Sequence, residues 1–158
     1  MSLVKVIWGA RQSGKTTAVL EWAKAHFKLY GKQMLYTGYA SRNVKEKFIT
    51  AYRPQPITQI PKLANYWAWL IEDIEQKPET EVVDIVAWAK AWDIRLVLSF
   101  TPPPEPIGEK HYLRILSKMP IAEYLSSHWT AEELMKVKQE LSPQVWRSQY
   151  EGQFVDDV

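Results

Sequence analysis

The sequence has no cysteine, which excludes disulfide bonds and zinc sites built on cysteine thiolates. It also has little net charge, because 20 Lys and Arg residues against 18 Asp and Glu residues leave only +2. That value is too small to indicate nucleic-acid or membrane binding by bulk electrostatics. No apolar run is long enough to span a bilayer, and the first residues lack the layout of a signal peptide. These absences favour a cytoplasmic protein with no membrane partner.

The composition that remains is that of an ordinary globular domain. The 158 residues suit one compact domain, and 46% apolar with 24% charged residues permits a core of useful size. Eight Trp and eight Tyr residues are unusually many, and we interpret them as core packing. We therefore expect residues 1–158 to form a single domain.

The apolar periodicity alternates along the chain between strand and helix patterns. Strands are predicted at residues 3–8, 34–37, 66–71, 95–100, 121–125 and 153–155. Helices are predicted at residues 16–30, 42–52, 80–92 and 130–141, with a short one from residue 143. Thr80 and Thr130 are the expected N-terminal caps of two of these helices. Strands alternating with helices indicate an α/β fold with a mostly parallel sheet and helices on both faces.

A glycine-rich segment lies between the first predicted strand and the first predicted helix. Residues 9–16, GARQSGKT, match the pattern G-x-x-x-x-G-K-[ST] in full. In such a loop, Gly9 and Gly14 permit backbone conformations that a Cβ would obstruct, and the amides point at phosphates. Lys15 supplies positive charge, and the Thr16 hydroxyl is a hard ligand for Mg²⁺. The predicted Mg²⁺–ATP site comprises Gly9, Ala10, Arg11, Gln12, Ser13, Gly14, Lys15, Thr16 and Thr17. Arg11 either stabilises charge on the γ-phosphate or is an ordinary solvated loop residue.

Two adjacent acids follow the apolar run at residues 67–71. Glu72 and Asp73 are placed by this strand at the carboxyl edge of the sheet, where phosphates bind. Nucleotide hydrolysis needs a carboxylate near the metal and another to orient water. We therefore expect Thr16, Glu72 and Asp73 to serve the metal. The usual order at such a site is Asp then Glu, and the reversed order here leaves the two individual roles open.

Hydroxyl groups end the next predicted strand. Ser99 and Thr101 lie two residues apart in LVLSFTPPP, so they face the same side of a strand. Such hydroxyls can sense the γ-phosphate or hold the attacking water, although ordinary strand-end residues would need no such role. We include both among the candidate catalytic residues with Arg11, Glu72 and Asp73.

The order of these motifs resembles the ATPase domain of the large terminase subunit, the DNA-packaging motor of tailed bacteriophages. Four segments resemble this domain: GARQSGKT, LIED, LVLSFTPPP and the closing segment at residues 141–155, LSPQVWRSQYEGQFV. The resemblance implies a P-loop fold of the additional-strand type and ATP hydrolysis coupled to DNA translocation. By position, Lys15 and Thr16 would bind phosphate and Mg²⁺, Glu72 and Asp73 would share metal binding and water activation, and residues 99–101 would couple hydrolysis to motion.

The same resemblance implies a set of partners. These are double-stranded DNA, the portal protein of a procapsid, the small terminase subunit and a separate nuclease, with assembly into a ring from a subunit that is monomeric in isolation. The expected place of action is the host cytoplasm during infection. The family's adenine-contacting residues before the first strand and its nuclease domain after the ATPase domain have no counterpart in the sequence. We therefore expect a minimal ATPase subunit or an excised domain, and Met1 slightly favours the former.

Two other functions share the phosphate loop. A small nucleotide or nucleoside kinase has the same opening, although thymidine kinases of this kind use cysteine zinc ligands, which this sequence lacks. A non-catalytic nucleotide-binding module that regulates a partner would accommodate the reversed acids. Phosphoryl transfer to a nucleoside would identify the first, and binding without turnover would identify the second.

Overall fold

The computed structural model describes residues 4–118, 122–125 and 131–155. Six strands form one sheet in the order β3-β2-β4-β5-β1-β6. The strands are β1 (Val4–Gly9), β2 (Met34–Thr37), β3 (Ile49–Tyr52), β4 (Ala68–Ile71), β5 (Arg95–Phe100) and β6 (Ala122–Leu125). The pairs β1–β6, β2–β3, β2–β4 and β4–β5 are parallel. Because β5 stands in the order between β4 and the loop-bearing β1, the predicted α/β fold of the additional-strand type is confirmed.

Five α-helices connect or follow the described strands. They are α1 (Lys15–Tyr30), α2 (Glu79–Ala91), α3 (Tyr112–Ser117), α4 (Ala131–Glu140) and α5 (Pro143–Gln149). Backbone contacts group the chain into two compact units, one of residues 1–5 and 16–99 and the other of residues 6–15 and 100–158. Within the described residues, no helix has both the length and the apolar content needed to cross a membrane.

The core of the first unit is built on β2 and β4. All four residues of each strand are buried, which explains why both segments are nearly continuous apolar runs. The register sets Thr37 beside Ile71 on one side and Tyr52 on the other. The carboxyl ends of the three strands therefore lie level, and the residues that follow them meet at one edge of the sheet.

The prediction of a helix at residues 42–52 is wrong. The structure has a 3₁₀ turn at Ser41–Asn43 and the strand β3 at Ile49–Tyr52, which pairs with β2. The prediction rests on the helical spacing of Val44, Phe48 and Ile49, which has another cause, because Phe48 stacks on Phe27 of α1 with ring centroids 4.0 Å apart. The strand itself is β-branched and aromatic, which favours an extended conformation once a sheet edge is present to pair with.

Two smaller predictions also fail, and one falls outside the described residues. Residues 153–155 form no strand: the amide of Gln153 donates to the carbonyl of Arg147 at 2.8 Å, so the segment continues from α5. The helix α2 begins at Glu79 after Pro78, so Thr80 lies inside its first turn and does not cap it. The predicted cap Thr130 is outside the described residues.

Candidate functional site

The glycine-rich loop joins β1 to α1 through two left-handed positions. Gln12 has φ 55° and Gly14 has φ 91°, so the conformational freedom expected of Gly14 is required there. Gln12 adopts the same region with a side chain, which is uncommon and typical of functional loops. Two positive-φ positions within three residues are typical of a curved loop that can form an anion-binding concavity.

The interior of this loop carries a buried ammonium group. Lys15 is 9% exposed, and its Nζ donates to the carbonyls of Gly9 at 3.2 Å and Ala10 at 2.6 Å. The hydroxyl of Ser13 is buried without a hydrogen-bond partner among the described residues. A cation and an unsatisfied donor inside one curved loop match the needs of an anion with several oxygens, and a phosphate chain supplies them.

The segment after α5 packs directly on the outside of the loop. Gly152 has φ +69°, and a Cβ at this position would lie 2.5 Å from the backbone nitrogen of Ala10. The amide of Arg11 donates to the carbonyl of Gln149 at 2.7 Å, while Nε2 of Gln149 donates to the carbonyl of Pro102 at 3.4 Å. Gln149 thus connects the loop to the residues that follow β5.

The acid Glu72 is the centre of a buried hydroxyl cluster in the first unit. It is 5% exposed, and the hydroxyl of Thr16 donates to both carboxylate oxygens at 3.0 Å. The hydroxyl of Ser99 donates to Oε1 at 3.3 Å, and the phenol of Tyr36 donates to Oε2. Three of the predicted site residues, Thr16, Glu72 and Ser99, are therefore brought together, whereas Tyr36 was not among the predicted site residues.

Burial and hydrogen bonding act in opposite directions on this carboxyl group. Burial is the largest influence and raises the pKa of Glu72, as does the neighbouring charge of Asp73. The hydrogen bonds from Tyr36, Thr16 and Ser99 oppose the rise, since each stabilises the carboxylate. The pKa of Tyr36 is raised by its own burial and by the charge of Glu72, which keeps the phenol protonated and donating.

The second acid has a different setting. Asp73 is partly exposed and has a left-handed backbone, with φ 57°, and its amide donates to the hydroxyl of Ser99 at 3.4 Å. A cleft of about 230 Å³ opens beside both acids and is also lined by Tyr39, Gln76 and Lys77. Asp73 is therefore the more accessible of the two adjacent acids at the cleft, whereas both carboxylate oxygens of the buried Glu72 accept hydrogen bonds from hydroxyl groups.

The hydroxyl oxygen of Thr16 and the carboxylate oxygens of Glu72 are of the ligand type that a magnesium ion prefers. Mg²⁺ prefers hard oxygen ligands, keeps several waters and is usually held by one or two protein groups together with phosphate oxygens. The described residues contain no cluster of three or more His, Cys, Asp or Glu side chains that would hold a metal alone. Thr16 is the candidate direct ligand, with Glu72 accepting its hydroxyl proton.

The other predicted site residues have separate positions. Thr101 is buried and follows β5, while the side chain of Arg11 lies on an exposed part of the loop. Thr17 follows Thr16 in the first turn of α1. The roles assigned to these residues stay predictions. The sequence analysis missed Tyr36 and Gly152, since their importance depends on strand register and chain packing and not on a local motif.

Comparison with known proteins finds similarity in structure but none in sequence. No protein-family model and no curated protein matches the sequence. The fold is similar to that of a large terminase from a thermophilic bacteriophage. Its complex with ATP-gamma-S has a TM-score of 0.66 and 12% identity, over 97% of this chain and 47% of that chain. Its complex with ADP has the same TM-score at 13% identity, over 97% and 48%. The chain spans about half the length of this terminase.

A more distant structure is the genome packaging NTPase B204 from Sulfolobus turreted icosahedral virus 2 in complex with AMP, with a TM-score of 0.45 and 14% identity over 92% of this chain and 84% of that chain. Likeness at 12–13% identity to the bacteriophage terminase shows the fold. It confirms the P-loop class and, at the level of fold, the resemblance to large terminases that the motifs predicted.

Proposed function

We propose that this chain binds Mg²⁺–ATP and hydrolyses it as the motor subunit that drives viral DNA packaging. The observation that carries the proposal is a hydrogen bond at 3.0 Å from the hydroxyl of Thr16, which follows Lys15 in the predicted phosphate loop, to the carboxylate of Glu72. A P-loop threonine held by a buried strand-end carboxylate is the arrangement that positions a metal against nucleotide phosphates. The fold shared with a large terminase supports the packaging role.

The residues divide the chemistry as follows. The loop amides and Lys15 bind the phosphates, and Thr16 ligates Mg²⁺ while Glu72 fixes the orientation of its hydroxyl. Mg²⁺, when bound, would supply charge neutralisation at the phosphate oxygens. Asp73 orients the attacking water, because it is the more exposed of the two adjacent acids that line the cleft.

Ser99 links the two acids, since its hydroxyl donates to Glu72 and accepts from the amide of Asp73. Movement of one acid is thereby transmitted to the other. Gln149, which bonds both the loop and Pro102, offers a route from the nucleotide to the segment containing Thr101. We propose that this segment couples hydrolysis to movement of double-stranded DNA.

The decisive experiment measures release of inorganic phosphate from ATP by the purified chain, alone and with double-stranded DNA and portal-bearing procapsids. We expect Mg²⁺-dependent hydrolysis that DNA and procapsids stimulate, together with nuclease-protected DNA inside the procapsids. Hydrolysis indifferent to DNA and procapsids would contradict the packaging role while leaving the ATPase assignment standing.

A kinase is the second candidate, because the cleft beside the acids is a place for an acceptor other than water. Its volume of about 230 Å³ is below the range of about 300–1,000 Å³ usual for ligand pockets, which favours water. Incubation with γ-labelled ATP and a mixture of nucleosides separates the two functions. Label in a nucleotide product would identify a kinase, whereas label in inorganic phosphate alone would exclude it.

A further inference from the structure

A buried tyrosine outside every sequence motif touches the central carboxylate. Tyr36 lies on β2, is 0% exposed, and donates its phenol proton to Oε2 of Glu72. A fully buried phenol needs a hydrogen-bond partner, and a carboxylate is among the strongest available. The contact joins residues 36 positions apart, so the level ends of β2 and β4 are needed to form it.

The glycine two residues later makes room for this contact. A Cβ at Gly38 would lie 2.6 Å from Oη of Tyr36 and 3.2 Å from Cβ of Glu72. The backbone of Gly38 is not in the left-handed region, so conformational freedom does not explain the glycine. The glycine is needed for space, because the phenol of Tyr36 and the side chain of Glu72 approach the position that a methyl group would occupy.

The distribution of donors shows what the phenol contributes. Oε1 of Glu72 accepts from Ser99 and Thr16, whereas Oε2 accepts from Tyr36 and from the same shared Thr16 hydroxyl. Without the phenol, Oε2 would keep only the shared bond. The carboxylate plane would then be fixed from one side, and the hydroxyl of Thr16 would lose a firmly placed acceptor.

We propose that Tyr36 is a positioning residue that holds the Glu72 carboxylate, and through it the Thr16 hydroxyl, in the orientation that accepts a divalent cation with the nucleotide. The proposal rests on the proposed function of this site. Tyr36 touches neither phosphate nor water in this role, and it acts only through Glu72. Groups that orient a metal ligand in this way typically change metal affinity or activity by about 10–100-fold when they are removed.

The test compares ADP binding by calorimetry with Mg²⁺ and with a chelator, in the wild type and in Tyr36→Phe. The substitution removes one oxygen and keeps the ring that fills the core. We expect the increase in affinity that Mg²⁺ produces to fall by about tenfold, with binding in chelator unchanged. The matched control is Tyr30→Phe, the same change at a phenol that is 56% exposed at the end of α1, and it should behave as the wild type.

A double-mutant cycle with Gly38→Ala tests the geometry independently. In the wild-type background the added methyl would displace the phenol or the carboxylate, whereas in Tyr36→Phe the nearest clashing atom is gone. The two losses in Mg²⁺-dependent affinity should therefore combine to less than their sum. Additive losses, or a Tyr36→Phe variant with the Mg²⁺ dependence of the wild type, would overturn the proposal.

The remaining outcomes also separate the hypotheses. Equal loss of ADP affinity with and without Mg²⁺ in Tyr36→Phe would mean that the loop is disturbed, and it too overturns the positioning role. A wild type that binds no nucleotide would instead contradict the proposed function, which is visible before any variant is compared.

Discussion

The pKa of Glu72 depends on a balance between burial of its carboxyl group and the hydrogen bonds that this group accepts. Burial raises its pKa, and three hydroxyl groups lower it again by stabilising the charged form. The hydroxyl groups come from Tyr36 on β2, Thr16 on α1 and Ser99 on β5. Under the proposed function, the reversed order of the two acids has a structural interpretation: the enclosed Glu72 would serve the metal side, and the partly exposed Asp73 would serve the water side.

Substitutions of the two acids should consequently have different effects on nucleotide binding and turnover. We expect Glu72→Gln to weaken Mg²⁺-dependent nucleotide binding and turnover together, because an amide is a poorer acceptor for the hydroxyl of Thr16. We expect Asp73→Asn to leave Mg²⁺–nucleotide affinity near the wild-type value while turnover falls by about 10²-fold or more. Calorimetry and phosphate release on both variants make the comparison. The reverse pattern would exchange the two roles, and full turnover in both would remove the acids from the chemistry.

Lys15 lends itself to a comparison within one helix. Its ammonium group donates to loop carbonyls at 2.6 and 3.2 Å, so it lies inside the loop that we propose binds the phosphates. Lys15→Ala should lower ATP affinity by about tenfold or more, the loss expected for a charge-assisted hydrogen bond of about 1.5–3 kcal/mol. Lys28→Ala, an exposed lysine in the last turn of α1, serves as the control. Unchanged affinity in a folded Lys15→Ala protein would contradict the assignment.

Features encoded in consecutive residues could be predicted from the sequence. Contacts that depend on the register between neighbouring strands could not. The phosphate loop carries its chemistry in eight consecutive residues, 9–16, and a strand and a helix flank it as predicted. The helix prediction at residues 42–52 rests on the helical spacing of Val44, Phe48 and Ile49, but Phe48 packs on α1 and Ile49 begins β3. The contact of Tyr36 with Glu72 exists only once β2 and β4 are aligned. No window of sequence contains that information.

The segment after α5 allows a graded test of how closely it packs on the loop. Gly108→Ala meets nothing within 4 Å and needs no left-handed backbone, whereas Gly31→Ala meets nothing but sits at φ +64°. Gly152→Ala combines φ +69° with a clash at 2.5 Å against the backbone of Ala10. We expect no loss of stability for the first and about 1 kcal/mol for the second. For the third we expect a further loss of about 1–3 kcal/mol.

Denaturant unfolding and nucleotide titration of the same three variants give the readout. Only Gly152→Ala should also lose ATP affinity, because only there does the new methyl press on the loop. Equal stability and affinity in Gly152→Ala and Gly31→Ala would show that the close packing of residue 152 on the loop contributes nothing in solution.

At the scale of the whole molecule, phosphoryl transfer needs a positively charged group beside the γ-phosphate. Phosphoryl transfer spreads negative charge over the γ-phosphate oxygens, and an arginine placed against them raises the rate by about 10³–10⁵-fold. No arginine lines the described cleft beside Glu72 and Asp73. Its one lysine, Lys77, is bonded to the carbonyl of Gln55 and to Glu81. We therefore consider two candidate sources of a catalytic arginine, which are Arg11 of the loop and an arginine of a neighbouring subunit.

We expect the neighbouring subunit to supply it, so that turnover per chain is slow in dilute solution and rises with protein concentration or on addition of portal-bearing procapsids and DNA. The physical reason is that the cleft is lined by three acids, Glu72, Asp73 and Glu81, which would attract an incoming guanidinium, while its one lysine is already hydrogen-bonded to Glu81. Phosphate release is measured across a wide concentration range, with oligomeric state determined by sedimentation at each point. Arg11→Ala is assayed in parallel, and it should leave the concentration dependence intact. Fast turnover by a demonstrated monomer, abolished in Arg11→Ala, would place the charge within the chain and show that hydrolysis does not require assembly.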